Sequence, residues 1–450
     1  MADTRFEHLT IDELCNHTYQ CACGKTHRVD TQRIVVESGA MERVPEILTA
    51  CRMTGRLLVV WDDNTCQVAG KYVEAALQAA HWEYKVFSLG DHVHADEYAV
   101  GRILMATEDE RPIQAMLAVG SGTINDSVRY VAYRTGLPYA IVGTAPSMDG
   151  YASKMAPITI GAFKRTFLST FPTAVIADPK VLAEAPDIML AAGLGDVLGK
   201  VTALVDWVLG REVWGEKYCT QLVSMVSQAL RTVSAAAKAV KSHDQTAAAQ
   251  VMEALVLTGV AMQMNDDSRP ASGCEHHLSH YWEIVHGIQG VDTPLHGNKV
   301  GVGTVLAQHM QRKMLQLPAE ALQYKPMTPA RRQAWEQEVR RAFGPLGDEA
   351  IAEYDLSVLL GDDPLGGLRD RWDAVKVEME GLMALSDAAK VLLDGNAPVR
   401  PSELGITPEM VKDALLYAKE VRGRYTVLRL AHDIGLLEQW VDETMTELAL

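Results

Sequence analysis

From about residue 30 the chain alternates short β-branched runs with stretches in which apolar residues recur at helical spacing. Residues 33–37 (RIVVE), 57–61, 84–89, 113–119 and 139–143 read as strands, and 41–53, 68–80, 96–107 and 124–135 as helices. Strands separated by helices of this length predict βαβ units and a mostly parallel sheet. Past about Pro186 the strand-like runs largely vanish, and Ala, Leu, Met, Glu and Lys recur at helical spacing almost to the end. The expected fold is therefore α/β plus all-α, with a Cys-rich segment over 1–30, a sheet domain over 31–186 and a helical domain over 187–450.

Two domains suit a chain of 450 residues. A formal charge of −16 excludes the clustered basic footprint of a nucleic-acid binder, so any anionic substrate must be met by local Lys or Arg. No segment reads as a membrane span: the apolar run 254–264 is short, and Asp196, Lys200 and Asp206 interrupt 188–209. The opening MADTRFEHLTIDEL has no apolar stretch of the secretory type, and a cytoplasmic protein is expected. Seven cysteines, unevenly spread, give no disulfide framework. Four donors, Cys15, Cys21, Cys23 and His27, crowd into CNHTYQCACGKTH; they read either as a small structural zinc site or as reduced thiols in a strand and turn.

The strand at 113–119 runs into Gly120-Ser121-Gly122-Thr123-Ile124-Asn125-Asp126 and then a helix. Glycines at such a turn let phosphate approach free backbone N–H groups and a positive dipole end. The alternative is a plain βα turn capped by Asn125 or Asp126. A second loop, with Thr144, Ser147, Asp149 and Ser153, follows the next strand, where open α/β sheets bind ligands. Asp149 suits a substrate hydroxyl or a proton relay, or is a turn residue; Asp62 suits an adenosine ribose, or is a surface acid.

Downstream, Asp196 in GLGDVLGK, His276 in GCEHHLSH and His296 in PLHGNKVGVG form one carboxylate and two imidazoles, a set suited to one divalent transition ion. Asp196 reads as a residue of a glycine-rich turn, and His296 as an exposed loop imidazole flanked by Pro294 and Gly297. His280 follows His276 by four residues, one helical turn on, and could meet substrate. His277 is expected to point away.

GSGTIND, TAPSMDGYAS, AAGLGDVLGK, RPASGCEHHLSHYWE and LHGNKVGVG together resemble the sn-glycerol-1-phosphate dehydrogenase family, longer bacterial branch. That family belongs with the iron-containing alcohol dehydrogenases, glycerol dehydrogenases and 3-dehydroquinate synthases. The match spans 35–303, with an echo at 422–430. It implies a Rossmann-like domain followed by a dehydroquinate synthase-like helical domain, with the active site in the cleft. It also implies Asp196, His276 and His296 as metal ligands, with Zn favoured over Ni or Fe, and Asp149, Asp196 and His280 facing substrate. Asp62, Gly120, Gly122, Thr123, Ile124, Asn125, Asp126, Thr144, Ser147 and Ser153 then surround NAD(H) or NADP(H). Pro146 stands where the family's loop usually has Ala, and Cys274 where Ser is common.

The implied reaction is reversible reduction of dihydroxyacetone phosphate to sn-glycerol 1-phosphate. His280, or a water it orients, would supply the proton, and Asp149 would hold a hydroxyl. Lys164 and Arg165 read either as phosphate partners or as an exposed basic pair. A homo-oligomer is implied. The alternatives are a dehydrogenase of another small polyol such as glycerol, a 3-dehydroquinate synthase-like lyase, and a nucleotide-binding sensor without turnover.

Overall fold

The computed structural model describes residues 6–161 and 163–450; Met1–Arg5, the start of the MADTRFEHLTIDEL stretch, and Ala162 lie outside the described residues. Ten strands are present among the described residues: β1 (Thr18–Gln20), β2 (Thr26–Arg28), β3 (Arg33–Val36), β4 (Leu57–Trp61), β5 (Tyr84–Ser88), β6 (Ala115–Gly120), β7 (Tyr139–Gly143), β8 (Met155–Ile160), β9 (Phe163–Leu168) and β10 (Ala174–Ala177). Six of them form one parallel sheet in the order β3-β10-β7-β6-β4-β5, while β1–β2 and β8–β9 are antiparallel hairpins.

Period-two alternation decides which side chains face which layer. Leu58 and Val60 of β4, Met116 and Ala118 of β6, and Tyr139 and Ile141 of β7 join a core continuous with the helical region. Leu57, Val59, Leu117, Ala140 and Val142 point to the opposite face, under the helices Val44–Ala50 and Lys71–Ala79. Both faces are covered, so the strands read as unbroken apolar runs. The chain leaves β4 toward β5 but leaves β6 toward β7, and their carboxyl ends therefore flank a topological switch point, where open sheets take ligands.

Beyond Asp187 the described residues hold helices and no strand. The stretches Asp187–Trp214 and Gln245–Asn265 are apolar and long enough to span a membrane. Yet 89% and 72% of their most apolar windows are buried inside the protein.

Two helix readings tighten. The expected helix over 41–53 shrinks to Val44–Ala50, with Pro45 at its start. That over 68–80 opens with a π turn, Cys66–Gly70. Two elements were not foreseen. β10 is a four-residue run that inserts between β3 and β7, and the β8–β9 hairpin carries Lys164 beside the helical half.

Candidate functional site

Gly120 of β6 and Gly143 of β7 are paired in register, so the two ligand-type loops leave the sheet side by side. A side chain at Gly120 would lie 2.6 Å from Ile124, so glycine there lets the helix Gly122–Thr135 start tight against its strand. Ser121 stands at the N-cap in extended backbone and its hydroxyl makes no capping bond. The first turn thus keeps free N–H donors at Gly122, Thr123 and Ile124, a pre-formed anion site. Asn125 and Asp126 are not caps. Asn125 is buried with an amide that has no partner among the described residues, and Asp126 accepts from Arg129 Nη1 at 2.9 Å.

The other nucleotide-loop residues divide by what already occupies them. Thr144 and Ser147 are buried where β7 ends, and Ser153 Oγ accepts from the Met155 N–H to start β8. Asp62 closes β4 and caps the turn Asp63–Thr65, accepting from Thr65 N at 2.7 Å.

On the helical side, Asp196 and His296 lie in helices, not in loops. Asp196 sits within Asp187–Leu198, and His296 is the first residue of His296–Leu315. The glycines that suggested turns are contact points. A Cβ on Gly195 would meet Gly297 O at 2.3 Å, and one on Gly297 would meet Ala192 O at 1.9 Å. Only bare backbone lets these helices approach closely enough to bring the two side chains together.

His276 enters from the first turn of Cys274–Gln289, whose start is held by Asp206 Oδ2 accepting from Cys274 N (2.7 Å). Donor atoms of Asp196, His276 and His296 all lie within 4.8 Å of one another. His276 Nδ1 is 2.8 Å from Glu275 Oε1, and His296 Nδ1 is 3.3 Å from Glu283 Oε1. Each buried carboxylate holds the ring proton on Nδ1 and turns the Nε2 lone pair toward the cluster, the arrangement by which carboxylates orient metal-binding histidines. The donor set therefore fits a divalent transition ion.

Lys200, one turn after Asp196 and 1% exposed, was not foreseen. It donates to Asp196 Oδ1 (2.8 Å) and Asp149 Oδ2 (2.7 Å). Burial pushes the Asp196 carboxyl up, but the Lys200 ammonium and the two imidazoles outweigh it and hold it at about 2. The backbone N–H of Asp149 also donates to Asp196 Oδ2 (2.9 Å), which ties the SMDGYAS loop to the cluster.

His280 stands with its ring centroid 6.1 Å from that of His276 and 5.5 Å from that of His296. Its Nδ1 is 3.0 Å from Glu283 Oε2. Although 37% of the side chain faces a cavity, the surrounding protein desolvates the ring and lowers its pKa to about 4. The imidazole is neutral at neutral pH, with Nδ1–H directed to Glu283 and Nε2 an acceptor.

That cavity, about 210 Å³, is lined by Lys164, Thr166, Ser272, His277, His280 and Arg422, among others. His277 does not point away as expected: it lies three residues from His280, hence on a neighbouring helix face, and neither ring nitrogen has a partner among the described residues. Lys164 reaches to 3.4 Å from Glu283, whereas Arg165 does not line the cavity. A larger groove, about 690 Å³, lies over Phe6, Arg33, Met225 and Glu253 and holds none of these groups.

A family model described as iron-containing alcohol dehydrogenase matches residues 35–186. The glycerol-1-phosphate dehydrogenase [NAD(P)+] of Bacillus licheniformis is 32% identical over 425 residues, covering 93% of this chain and 93% of the relative. That of Geobacillus thermodenitrificans is 30% identical over 435 residues, covering 95% and 99%. Among solved structures, glycerol dehydrogenase from Schizosaccharomyces pombe superposes with a TM-score of 0.58 at 16% identity, covering 93% of this chain and 92% of that one; at that identity the likeness shows the fold.

Proposed function

The chain belongs to the glycerol-1-phosphate dehydrogenase family, among the iron-containing alcohol dehydrogenases, and we propose that it reduces dihydroxyacetone phosphate reversibly to sn-glycerol 1-phosphate with NADH or NADPH. The observation that carries this reading beyond membership is the cavity beside the Asp196–His276–His296 cluster, which sets two cations, Lys164 and Arg422, next to His280. An acidic chain that places cations here has the means to bind a phosphorylated ketone.

Asp196, His276 and His296 would hold the divalent ion, with zinc our choice for this nitrogen-rich set. When bound, the ion supplies Lewis acidity and the reduced nicotinamide supplies hydride. Glu275 and Glu283 orient the imidazoles, and Lys200 bridges Asp149 and Asp196 from a buried position. The free N–H groups at Gly122, Thr123 and Ile124 take the dinucleotide pyrophosphate, with Gly120 setting the close turn and Thr144 and Ser147 beside it. The second oxygen of Asp62 would face a ribose hydroxyl at the switch point, which favours NAD. Asp149 positions a substrate hydroxyl. His280, with an acceptor Nε2, orients the water that delivers the proton to the new alkoxide. In this reading the enzyme works in the cytoplasm as a homo-oligomer and supplies a glycerophospholipid precursor.

Chirally resolved product from dihydroxyacetone phosphate tests the assignment. Stoichiometric NAD(P)H consumption with sn-1 product sustains it, whereas activity only on unphosphorylated polyols overturns it. The cavity makes a sharper prediction. Lys164→Met and Arg422→Met each raise KM for dihydroxyacetone phosphate about tenfold; Arg422→Met leaves kcat near wild type, whereas Lys164→Met also lowers it because Lys164 pairs with Glu283.

A further inference from the structure

A second set of metal-type donors joins the N-terminal hairpin to Cys219 of the helical half. The hairpin β1–β2 turns at Cys21–Lys25, where Gly24 takes the left-handed conformation (φ +83). The turn carries Cys21 and Cys23, and β2 carries His27 opposite Tyr19. Against it packs Cys219, the N-cap residue of the helix Thr220–Lys241, 192 residues from His27. Cys15 is not a member. Its Sγ donates to Ile11 O instead, so the grouping that the sequence suggested exchanges one cysteine for another that proximity along the chain could not reveal.

We propose that Cys21, Cys23, His27 and Cys219 form a tetrahedral structural zinc site that staples the N-terminal hairpin to the helical half of the protein. The four donor atoms lie within 4.8 Å of one another. The sulfurs of Cys21 and Cys219 are 3.7 Å apart, and His27 Nε2 is 3.3 Å from Cys23 Sγ and 3.4 Å from Cys219 Sγ. A tetrahedral ion with ordinary Zn–S and Zn–N bonds separates two sulfurs by ~3.8 Å and sulfur from nitrogen by ~3.5 Å, so these gaps match the edges of its coordination shell.

The histidine is prepared for the role. Buried His27 donates from Nδ1 to Met264 O at 2.6 Å, which fixes the tautomer and leaves Nε2 as a lone pair. Cys219 sits at the positive end of a long helix, whose dipole works against the burial that raises its thiol pKa. Binding releases the three thiol protons to solvent and involves no change of oxidation state.

The site also braces what it touches. Lys25 Nζ donates to Asn265 O (2.7 Å), and Gln263 Nε2 donates to both Thr31 Oγ1 and Ala152 O. The hairpin, the end of the helix Gln245–Asn265 and the turn Asp149–Ala152 are thus held in one chain of contacts.

Cobalt substitution separates this site from the catalytic one, because the Asp196–His276–His296 set contains no thiolate. Cobalt-loaded full-length protein is expected to show thiolate-to-cobalt charge transfer in the near ultraviolet. The band should persist in His276→Ala and disappear in Cys23→Ser and in Cys219→Ser. Zinc-loaded wild type should hold two equivalents, and each of these variants one. Wild type that loads cobalt without the charge-transfer band overturns the proposal whether or not the variants fold. So does an intact denatured mass showing Cys21 and Cys219 joined as a disulfide in metal-replete protein.

Discussion

His276→Ala lowers turnover of dihydroxyacetone phosphate by at least about 10³-fold, the loss expected when the group that stabilises developing oxyanion charge is removed. His276 contributes one of two imidazoles, and its Nδ1 is already committed to Glu275. Alanine therefore leaves an aspartate and one histidine, too few donors to retain an ion against water. Metal content should fall with activity, and added zinc should not restore it. Glu275→Gln gives the graded counterpart. It keeps every ligand but weakens the acceptor that fixes the His276 ring, so affinity falls about 10–100-fold and excess metal rescues turnover. The pair is read by metal analysis alongside NAD(P)H oxidation. Full activity in metal-free His276→Ala would remove the ion from the reaction.

The sheet was legible where burial leaves a long apolar signature. β4 and β7 fall on the expected residues, since both are covered on both faces and read as nearly continuous apolar runs. β10 was not, because four apolar residues in TAVIAD are equally compatible with a buried turn, and its place between β3 and β7 is set by pairing partners far away in sequence. The metal-type cluster was legible as a set of side chains but not as geometry. Glycine beside Asp196 and His296 has two physical uses, freedom in a turn and close approach between helices, and the pattern alone favours the first. The contacts of Gly195 and Gly297 show the second.

Charged residues were the least legible. Lys200, Glu275, Glu283 and Arg129 are ordinary surface types in a chain that is 22% charged, yet all four are buried here. Such residues cost several kcal/mol of desolvation unless paired. Each is therefore informative only once its partners are known: Lys200 between two carboxylates, and Glu283 among two imidazoles and two lysines. Their common effect is to hold the Asp196, Glu275 and Glu283 carboxylates ionised in a buried site.

Arg129→Met is expected to destabilise the protein by about 3–5 kcal/mol, more than most single substitutions, because it removes the cation from a buried network. The guanidinium, 0% exposed, donates to Asp126 Oδ1 (2.9 Å), Tyr139 OH (2.8 Å), Met155 O (2.6 Å) and Tyr151 O (3.1 Å), and also to Gly150 O. Methionine fills the volume but deprives those acceptors of the guanidinium; three of them are backbone carbonyls that hold the Asp149 turn and the start of β8, of which Gly150 O keeps the Ser153 N–H. Burial already pushes the Asp126 carboxyl from 3.8 up to about 6 even with Arg129 beside it. Without that cation its folded value climbs further. An acid whose pKa is raised on folding weakens the fold above the folded pKa and regains stability as pH falls toward the unfolded value. The cost of Arg129→Met should therefore be smallest and flat below about pH 6 and grow as pH rises above it, until the variant's own raised pKa is passed. Urea unfolding at several pH values measures this as a lowered midpoint at unchanged m. Arg129→Lys keeps the charge but not the planar fork, so it recovers the wild-type pH dependence while leaving the carbonyls short of donors. A pH-independent loss in Arg129→Met would place the cost in the carbonyls alone and take Asp126 out of the account.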